Sequence, residues 1–508
     1  MALINSCLDT LSAKQIKLLC ESLENNSKSK YYLRLLNFII EFPEANNEFL
    51  CEKVYGKINM GAFYSCKQRL LEKVKDFMCQ CELVDDGTKA ASIHQSLTIA
   101  SRLLRHNKVA DAAVTFAHAE ELARTYNHLG LLDHALFYQT KFSEKLNLDY
   151  STRLDAYRKN SVALFDKRTL ELHRVAVKKE IAVSMNTGDP KNADDLIKRI
   201  YKDIQLTHEQ MKDPYIAYEL TAITRDALLS EKKYRIIEPF VIKMCSQLQE
   251  ANVFNATNVS CEIDLMMLCA HALYRNLKFK ECDIALRYID NLAENADIVP
   301  LEHLPKMRLM RIEINFYTNR LKEATEMSLE ALNDKTMKAD TVEFLNLTLN
   351  CAVQHFAANN FREANARLIT LPPDNYLREK ISKEWVMKKD MIHMITQYHL
   401  GNDDVALIIL GRVQSAFKEL FTKNMYLLSG KFIELTKRIF TNRDVLKDTK
   451  FLSEVEQARK SWPKEQQDLH AITFYCWLKA LIMGEDYYTV LMDRVNRSVP
   501  EMSEGISA

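Results

Sequence analysis

Apolar and polar residues repeat with the period of α-helices through the middle of the chain, most clearly over residues 343 to 410. Two consecutive segments there carry Leu, Ala, Phe, Ile and Met on one helical face, break at a short polar step, and continue as a second amphipathic helix. The breaks are Asn359-Asn360 and Gly401-Asn402. Because residues at i, i+3, i+4 and i+7 share one face of a helix, the pattern predicts two successive helical hairpins.

Small residues recur at a nearly fixed spacing in the second helix of each predicted hairpin. The positions where two helices must nearly touch are Cys282, Ala324, Ala364 and Ala406. They recur about every 42 residues, which is close to the range for HEAT and armadillo arrays. A regular period of this length is typical of an array in which like pairs of helices pack on their neighbours.

A similar pair of helices begins near residue 92. Its second helix carries Ala112, Phe116 and Ala119 on one face, and Ala100 is the small residue of the first helix. This pattern resembles the tetratricopeptide repeat, which has a small residue in its first helix and an Ala, aromatic, Ala series in its second. The period in this chain is longer than the roughly 34 residues of the standard repeat. The resemblance implies an all-α fold in which hairpins form a superhelix over roughly residues 90 to 440.

Residues 1–85 have a different pattern, with a long helix, a short helix and another long helix separated by turns. This order resembles the core of a helix-turn-helix or winged-helix domain. The basic residues along the last helix are Lys67, Arg69, Lys73 and Lys75. Acidic residues such as Glu72 and Asp76 dilute that face, and no pair of strands supplies a wing. We therefore favour a bundle that caps the array over a DNA-binding domain.

These patterns divide the chain into four predicted parts. Residues 1–85 form the N-terminal helical bundle or cap, and residues 86–440 form the array of hairpins. Residues 441–497, which include a strongly apolar helix, form capping helices at the other end. Residues 498–508 are polar and lie at the terminus, so a disordered tail is expected there.

Composition supports a helical protein and excludes several kinds of site. The chain has 10 Gly and 10 Pro in 508 residues, so few positions can form the glycine-rich loops that cradle phosphates. Charge is balanced, with 69 Lys and Arg against 68 Asp and Glu, which gives no overall field for nucleic acid or an anionic membrane. The start lacks a leader pattern, and no run is long and apolar enough to span a membrane. With 12 Cys mostly on apolar helical faces, the sequence predicts reduced thiols in the cytoplasm.

Motifs for catalysis or metal binding are missing from the sequence. There is no phosphate-binding loop ending in Lys-Ser or Lys-Thr, no HExxH, no GxSxG and no GxGxxG. His94, His106 and His118 recur every twelve residues, but twelve is also the offset between the two helices of a hairpin. Cys79 and Cys81 would point about 200° apart on a helix, which does not suit a shared metal. We predict a protein that is not an enzyme and that needs no metal or cofactor.

The remaining functional prediction concerns the groove that the first helices of such an array would line. The residues that the repeat register places there are His271, Tyr274, Arg275, Tyr317, Asn346, Asn350, Lys388 and His399. Tyr offers aromatic contact area, and Arg offers a charged guanidinium group with several hydrogen-bond donors. Asn offers an amide that can pair with a peptide backbone. Some tetratricopeptide-repeat proteins bind the C-terminal carboxylate of a chaperone through Lys or Arg together with Asn on successive helices. Only Asn350 and Lys388 approximate that arrangement here, so the sequence does not indicate a receptor for the C-terminal tails of chaperones.

The leading hypothesis is a non-catalytic scaffold or adaptor that binds another protein or peptide in this groove. An alternative is a sensor-regulator that binds DNA through residues 1–85 and a peptide through the array. A third hypothesis is an enzyme that uses His271 or His399 within the superhelix.

Overall fold

The computed structural model of the protein describes residues 2–24, 30–85, 89–187, 192–204, 212–231, 233–255, 258–296, 299–423, 426–460 and 469–498. Within these ranges the chain consists of helices joined by turns, and no β-strand is present. The predicted all-α fold class is therefore confirmed. None of the helices in these ranges is both long and apolar enough to cross a membrane.

The chain divides into two compact units, Met1–Leu164 and Phe165–Ala508. The helices that begin in the first unit are α1 (Ala2–Asp9), α2 (Ala13–Glu24), α3 (Lys30–Glu41), α4 (Asn47–Tyr55), α5 (Met60–Asp85), α6 (Ala90–Arg105), α7 (Val109–Thr125), α8 (Leu129–Lys141), α9 (Ser143–Leu146) and α10 (Tyr150–Thr187). The long helix α10 begins in the first unit and ends in the second.

Helices α1 to α5 enclose one apolar core of the first unit. The buried face of α5 consists of Phe63, Cys66, Leu70 and Val74, whose spacing of three and four residues matches the helical repeat. Helix α4 begins where the Asn46 side chain accepts a hydrogen bond from the N–H of Phe49. It ends at Gly56, which takes a left-handed conformation with φ +71°. A second core lies among α6 to α9, where the predicted Ala100, Ala112, Phe116 and Ala119 are fully buried.

The second unit continues as a series of helices that follow one another closely along the chain. They are α11 (Ala193–Ile204), α12 (Pro214–Ser230), α13 (Tyr234–Glu250), α14 (Val259–Arg275), α15 (Phe279–Asn295), α16 (Leu304–Tyr317), α17 (Leu321–Ala331), α18 (Lys335–Ala339), α19 (Thr341–Ala357), α20 (Phe361–Ile369), α21 (Asp374–Lys380), α22 (Lys383–His399), α23 (Asp403–Ala416), α24 (Lys418–Phe421), α25 (Leu427–Thr441), a 3-10 helix at Arg443–Lys447, α26 (Thr449–Lys460), α27 (Leu469–Met483) and α28 (Tyr487–Ser498).

Four consecutive helical pairs form the centre of this unit: α14 with α15, α16 with α17, α19 with α20, and α22 with α23. Each pair also packs on the next, since α15 contacts α16, α17 contacts α19, and α20 contacts α22. The predicted anchors Cys282, Ala324, Ala364 and Ala406 are all fully buried, and each is the fourth residue of its helix. The short helices α18 and α21 lie between successive pairs and lengthen the period beyond that of the standard tetratricopeptide repeat.

Each of these pairs turns through one residue with a left-handed backbone, located two positions before the second helix. These residues are Leu277, Asn319, Asn359 and Gly401. The next N–H then closes the end of the first helix, as when Asn360 donates to the carbonyl of His355 at 2.8 Å. Glycine and asparagine tolerate this conformation best, which is why the turns at Asn359 and Gly401 can be predicted from the sequence. Leu277 adopts it because its side chain is buried in the core.

The two C-terminal helices pack on each other and on helices much earlier in the same unit. The hydroxyl of Tyr488 donates to the carbonyl of Phe316 at 2.6 Å, and the amide of Asn359 donates to Asp486 at 3.0 Å. Helix α27 also contacts α25, and Trp477 within it is almost fully buried. The predicted tail at residues 498–508 lies outside the described residues, apart from the end of α28.

Candidate functional site

A cavity of about 360 Å³ lies among the first helices of the four hairpins, α14, α16, α19 and α22. Leu229 of α12 borders it, and Thr473 and Phe474 of α27 also line it. Because these hairpins pack in succession, each first helix presents one face of its surface to the same space. We refer to this space as the hairpin cavity.

Seven of the eight residues predicted for the groove line the hairpin cavity. They are His271, Tyr274, Arg275, Tyr317, Asn346, Asn350 and Lys388. The structure thus brings together side chains from four helices that lie far apart in the sequence. Whether they bind a partner remains a prediction.

His399 is the predicted groove residue that does not line the cavity. Its Nε2 accepts a hydrogen bond from the indole Nε1 of Trp477 at 2.9 Å, and its ring stacks on Phe361 with 4.6 Å between centroids. Burial in this aromatic surrounding lowers the pKa of His399 to about 4, so the ring is neutral at pH 7. Its position is explained by core packing.

Two of the lining residues, Asn346 and Lys388, have partners within the cavity wall. The Asn346 side chain accepts a hydrogen bond from Trp385 Nε1 at 2.9 Å and donates one to Glu343 at 3.1 Å. Lys388 pairs with Glu384 at 2.8 Å. The hydrogen bond between Asn346 and Trp385 joins α19 to α22, whereas the contacts of Asn346 with Glu343 and of Lys388 with Glu384 lie within one helix.

Aromatic side chains form another part of the wall. The hydroxyl of Tyr274 donates to Glu313 Oε2 at 3.2 Å, which joins α14 to α16. Burial raises the pKa of Glu313 to about 7, because a carboxylate loses hydration there. Tyr317 stacks on Phe279 with the rings nearly parallel and 5.3 Å between centroids. These contacts fix the orientations of the Tyr274 and Tyr317 rings in the wall.

Two residues that line the cavity each have a buried polar atom without a partner among the described residues. Gln354 is fully buried, and its Oε1 accepts a hydrogen bond from Ser328 at 2.7 Å, while its Nε2 has no acceptor. The Nδ1 of His271 is also buried without a partner. Because both atoms are buried, they offer no surface to a ligand in the cavity.

Lys306 adds a cation to the same cavity. Burial lowers its pKa to about 8, and the positive charges of Arg225 and Arg275 act in the same direction. Its ammonium forms no hydrogen bond or ion pair with any residue in the described ranges. Glu343 lines the same space but lies beyond ion-pair distance of Lys306.

Sequence reasoning missed Lys306, Glu313, Gln354 and Trp385, although all four line the cavity. The signal was available for all four of them. Glu313 and Lys306 precede the predicted Tyr317 by four and eleven residues, so they share its face of α16. Gln354 follows the predicted Asn350 by four residues, and Trp385 precedes the predicted Lys388 by three, so they share those faces of α19 and α22.

The basic residues of the N-terminal bundle are spread along α5. Lys67 donates to the Asn47 side chain at 3.3 Å, and Arg69 approaches the Tyr32 hydroxyl at 3.5 Å. Lys73 and Lys75 are exposed, but the equally exposed Glu72 and Asp76 lie among them. The surface therefore mixes both charges.

The lining of the hairpin cavity combines aromatic rings, amides and charged groups, and the Lys306 ammonium among them has no partner in the described ranges. Within the part of the chain that the structure describes, no group of three or more His, Cys, Asp or Glu is arranged to hold a metal ion. A scan against models of protein families finds no match, and a search of curated proteins finds no similar sequence. Inferences about function therefore depend on the geometry of the cavity.

Proposed function

We propose that the protein is a non-catalytic scaffold or adaptor that binds an extended segment of a partner protein in the hairpin cavity. The observation that carries this proposal is the convergence of four successive first helices on one polar and aromatic space. The space is lined by Tyr274, Asn350 and Trp385, together with the Lys306 side chain.

The size of the cavity suits a short piece of peptide. Sites for small ligands generally enclose about 300 to 1,000 Å³, and the hairpin cavity lies at the lower end of that range. It can hold one or two side chains and the backbone between them. Tyr274, Trp385 and Phe474 supply the aromatic contact area that anchors such side chains.

An amide side chain on α19 offers a complementary backbone contact. Asn350 lines the cavity, and its amide forms no hydrogen bond with a described residue. An amide can donate to a peptide carbonyl and accept from a peptide N–H, so Asn350 can align an extended backbone.

The packing of successive hairpins supports a tetratricopeptide-like superhelix as the scaffold for this site. Such arrays place a binding surface along their first helices. The cytoplasm is our proposed location, because all twelve cysteines have free thiols and most of them are buried.

Site-specific photo-cross-linking in the intact chain tests the proposal. A photoreactive amino acid at Asn350 should cross-link a defined segment of another protein in the protein's own cells. The matched control carries the same amino acid at Ile408, which is 70% exposed on α23. Cross-linking of one defined segment at position 350 but not at position 408 would support the proposal. Equal labelling at both positions, or none at Asn350, would overturn it.

A further inference from the structure

The part of the hairpin cavity formed by α14 and α16 has an excess of positive charge. Lys306 and Arg275 line it, and Arg225 of α12 is near enough to influence Lys306 and His271. The charge of Arg225 is balanced by Asp226, whose Oδ1 accepts its Nε–H at 2.9 Å. Lys306 has no such partner among the described residues.

The acidic residues of the cavity are already engaged by neighbours. Glu313 accepts a hydrogen bond from Tyr274, Glu343 accepts one from Asn346, and Glu384 pairs with Lys388. Glu384 accepts a second hydrogen bond from the Tyr426 hydroxyl at 2.7 Å. A basic ligand would therefore meet carboxylates that have partners, while an acidic ligand would meet an ammonium that has none.

We infer that the segment bound in the hairpin cavity carries an acidic side chain, whose carboxylate pairs with Lys306. This inference rests on the proposed function and specifies the chemistry of the partner. Pairing with a carboxylate would also raise the pKa of Lys306, which burial lowers, since an anion nearby stabilises the charged ammonium. The partner is thus an extended acidic peptide segment within another protein.

Selection from a library of random peptides displayed on phage tests this chemistry and does not require that the partner be identified first. The bait is the full chain, and the comparison bait is Lys306→Gln. The control bait is Lys322→Gln, in which a lysine with an 86% exposed side chain is neutralised. We expect Asp or Glu to be enriched at one position among peptides bound by the wild type and Lys322→Gln, and this enrichment to disappear with Lys306→Gln.

One selected peptide is then synthesised with its acidic residue and with the amide isostere, and binding is measured by fluorescence anisotropy. The amide version should bind the wild-type chain at least about tenfold more weakly, because a buried charge-assisted contact is lost. Against Lys306→Gln the two versions should differ by less than about twofold. Thermal unfolding of each variant verifies that it is folded.

The outcomes separate this inference from the proposed function. Enriched peptides that compete for the cavity but contain no acidic position would overturn the inference and leave the adaptor function standing. No enrichment above background with any bait would overturn the adaptor function itself. If sodium glutarate alone displaced the peptide at equal concentration, the site would be one for small anions, and the peptide inference would be wrong.

Discussion

The Tyr274 hydroxyl donates a hydrogen bond to Glu313 across the contact between α14 and α16, at 3.2 Å from Oε2. Both side chains line the hairpin cavity, and Glu313 is only 7% exposed. Burial raises the pKa of Glu313 from 4.5 to about 7. At neutral pH the carboxyl is therefore near the middle of its titration, which makes the stability of this part of the protein sensitive to pH.

Replacing Glu313 with Gln should stabilise the protein at pH 8 and have little effect near pH 4.5. In the intermediate range the folded state holds a proton that the unfolded state has released, so the free energy of unfolding falls as pH rises from about 4.5 to 7. Gln keeps an acceptor for Tyr274 and does not titrate. We expect a gain of roughly 2 to 3 kcal/mol at pH 8.

Urea unfolding of the two proteins at several pH values measures this difference. Glu326→Gln is the control, since the Glu326 side chain is 64% exposed on α17. A gain that is the same at pH 5 and pH 8 would show that Glu313 does not titrate as described.

The Ser328 and Gln354 pair should be dispensable for folding. In the double variant Ser328→Ala with Gln354→Met, a hydrogen bond and an unpaired buried donor are removed together. Replacing both partners with apolar groups of similar shape is nearly neutral or stabilising. We expect thermal stability equal to or above that of the wild type.

The variant Gln139→Met is the comparison for the stability of the double variant. Gln139 is 2% exposed and its Oε1 accepts a hydrogen bond from Arg153 at 2.8 Å. Removing this acceptor should destabilise the protein by about 1 to 3 kcal/mol. If the double variant were destabilised as much, the hydrogen bond between Ser328 and Gln354 would contribute to folding, and this prediction would be wrong.

The turn at Asn319 should tolerate glycine and resist alanine. Asn319 has φ +63°, a conformation that costs a residue with a β-carbon about 1 to 2 kcal/mol. Asn319→Ala should lower the free energy of unfolding by about that amount, and Asn319→Gly should change it by less than about 0.5 kcal/mol. Equal effects of the two substitutions, measured by urea unfolding, would contradict the assigned turn.

The buried anchor of the third hairpin should not accept a larger side chain. Ala364 is fully buried where α20 packs on neighbouring helices, so Ala364→Leu would overpack the contact. We expect a loss of about 1 to 3 kcal/mol in urea unfolding. Ala366→Leu, on a partly exposed face of the same helix, should cost less than about 0.5 kcal/mol. Similar losses at both positions would show that the helix contact at Ala364 is no more tightly packed than the surface at Ala366.

The N-terminal bundle should not bind duplex DNA. Lys67 and Arg69 contact neighbouring side chains, and acidic residues lie among the basic ones on α5. Fluorescence anisotropy of the full chain with a labelled duplex at low salt should show no binding. Salt-dependent binding that is lost in Lys67→Glu with Arg69→Glu would instead support the sensor-regulator hypothesis.

Several residues that line the hairpin cavity can be predicted from the sequence because the cavity is built from a repeated local pattern. The spacing of Ala324, Ala364 and Ala406 sets the register of the second helices, and counting back from them identifies the faces of the first helices. Seven predicted residues reach the cavity for this reason. Lys306 and Glu313 could have been included by extending the same face of α16 toward its N-terminus.

The position of His399 cannot be obtained in that way. Its surroundings are set by Trp477, which follows it by 78 residues and belongs to α27. The period of the hairpins carries no information about a helix outside the repeats. The same limit applies to Phe474 and Thr473, which line the cavity from α27.

The hydrogen bond from Tyr488 to the carbonyl of Phe316 spans 172 residues of sequence. In a simple linear array each repeat touches only its neighbours, and such arrays can fray from their ends and unfold stepwise. Here α28 forms a hydrogen bond with α16, and Asp486, which directly precedes α28, accepts a hydrogen bond from Asn359 in its turn. The hairpins between these points should therefore open together, and amide hydrogens in α16, α19 and α22 should exchange with solvent as a single cooperative group.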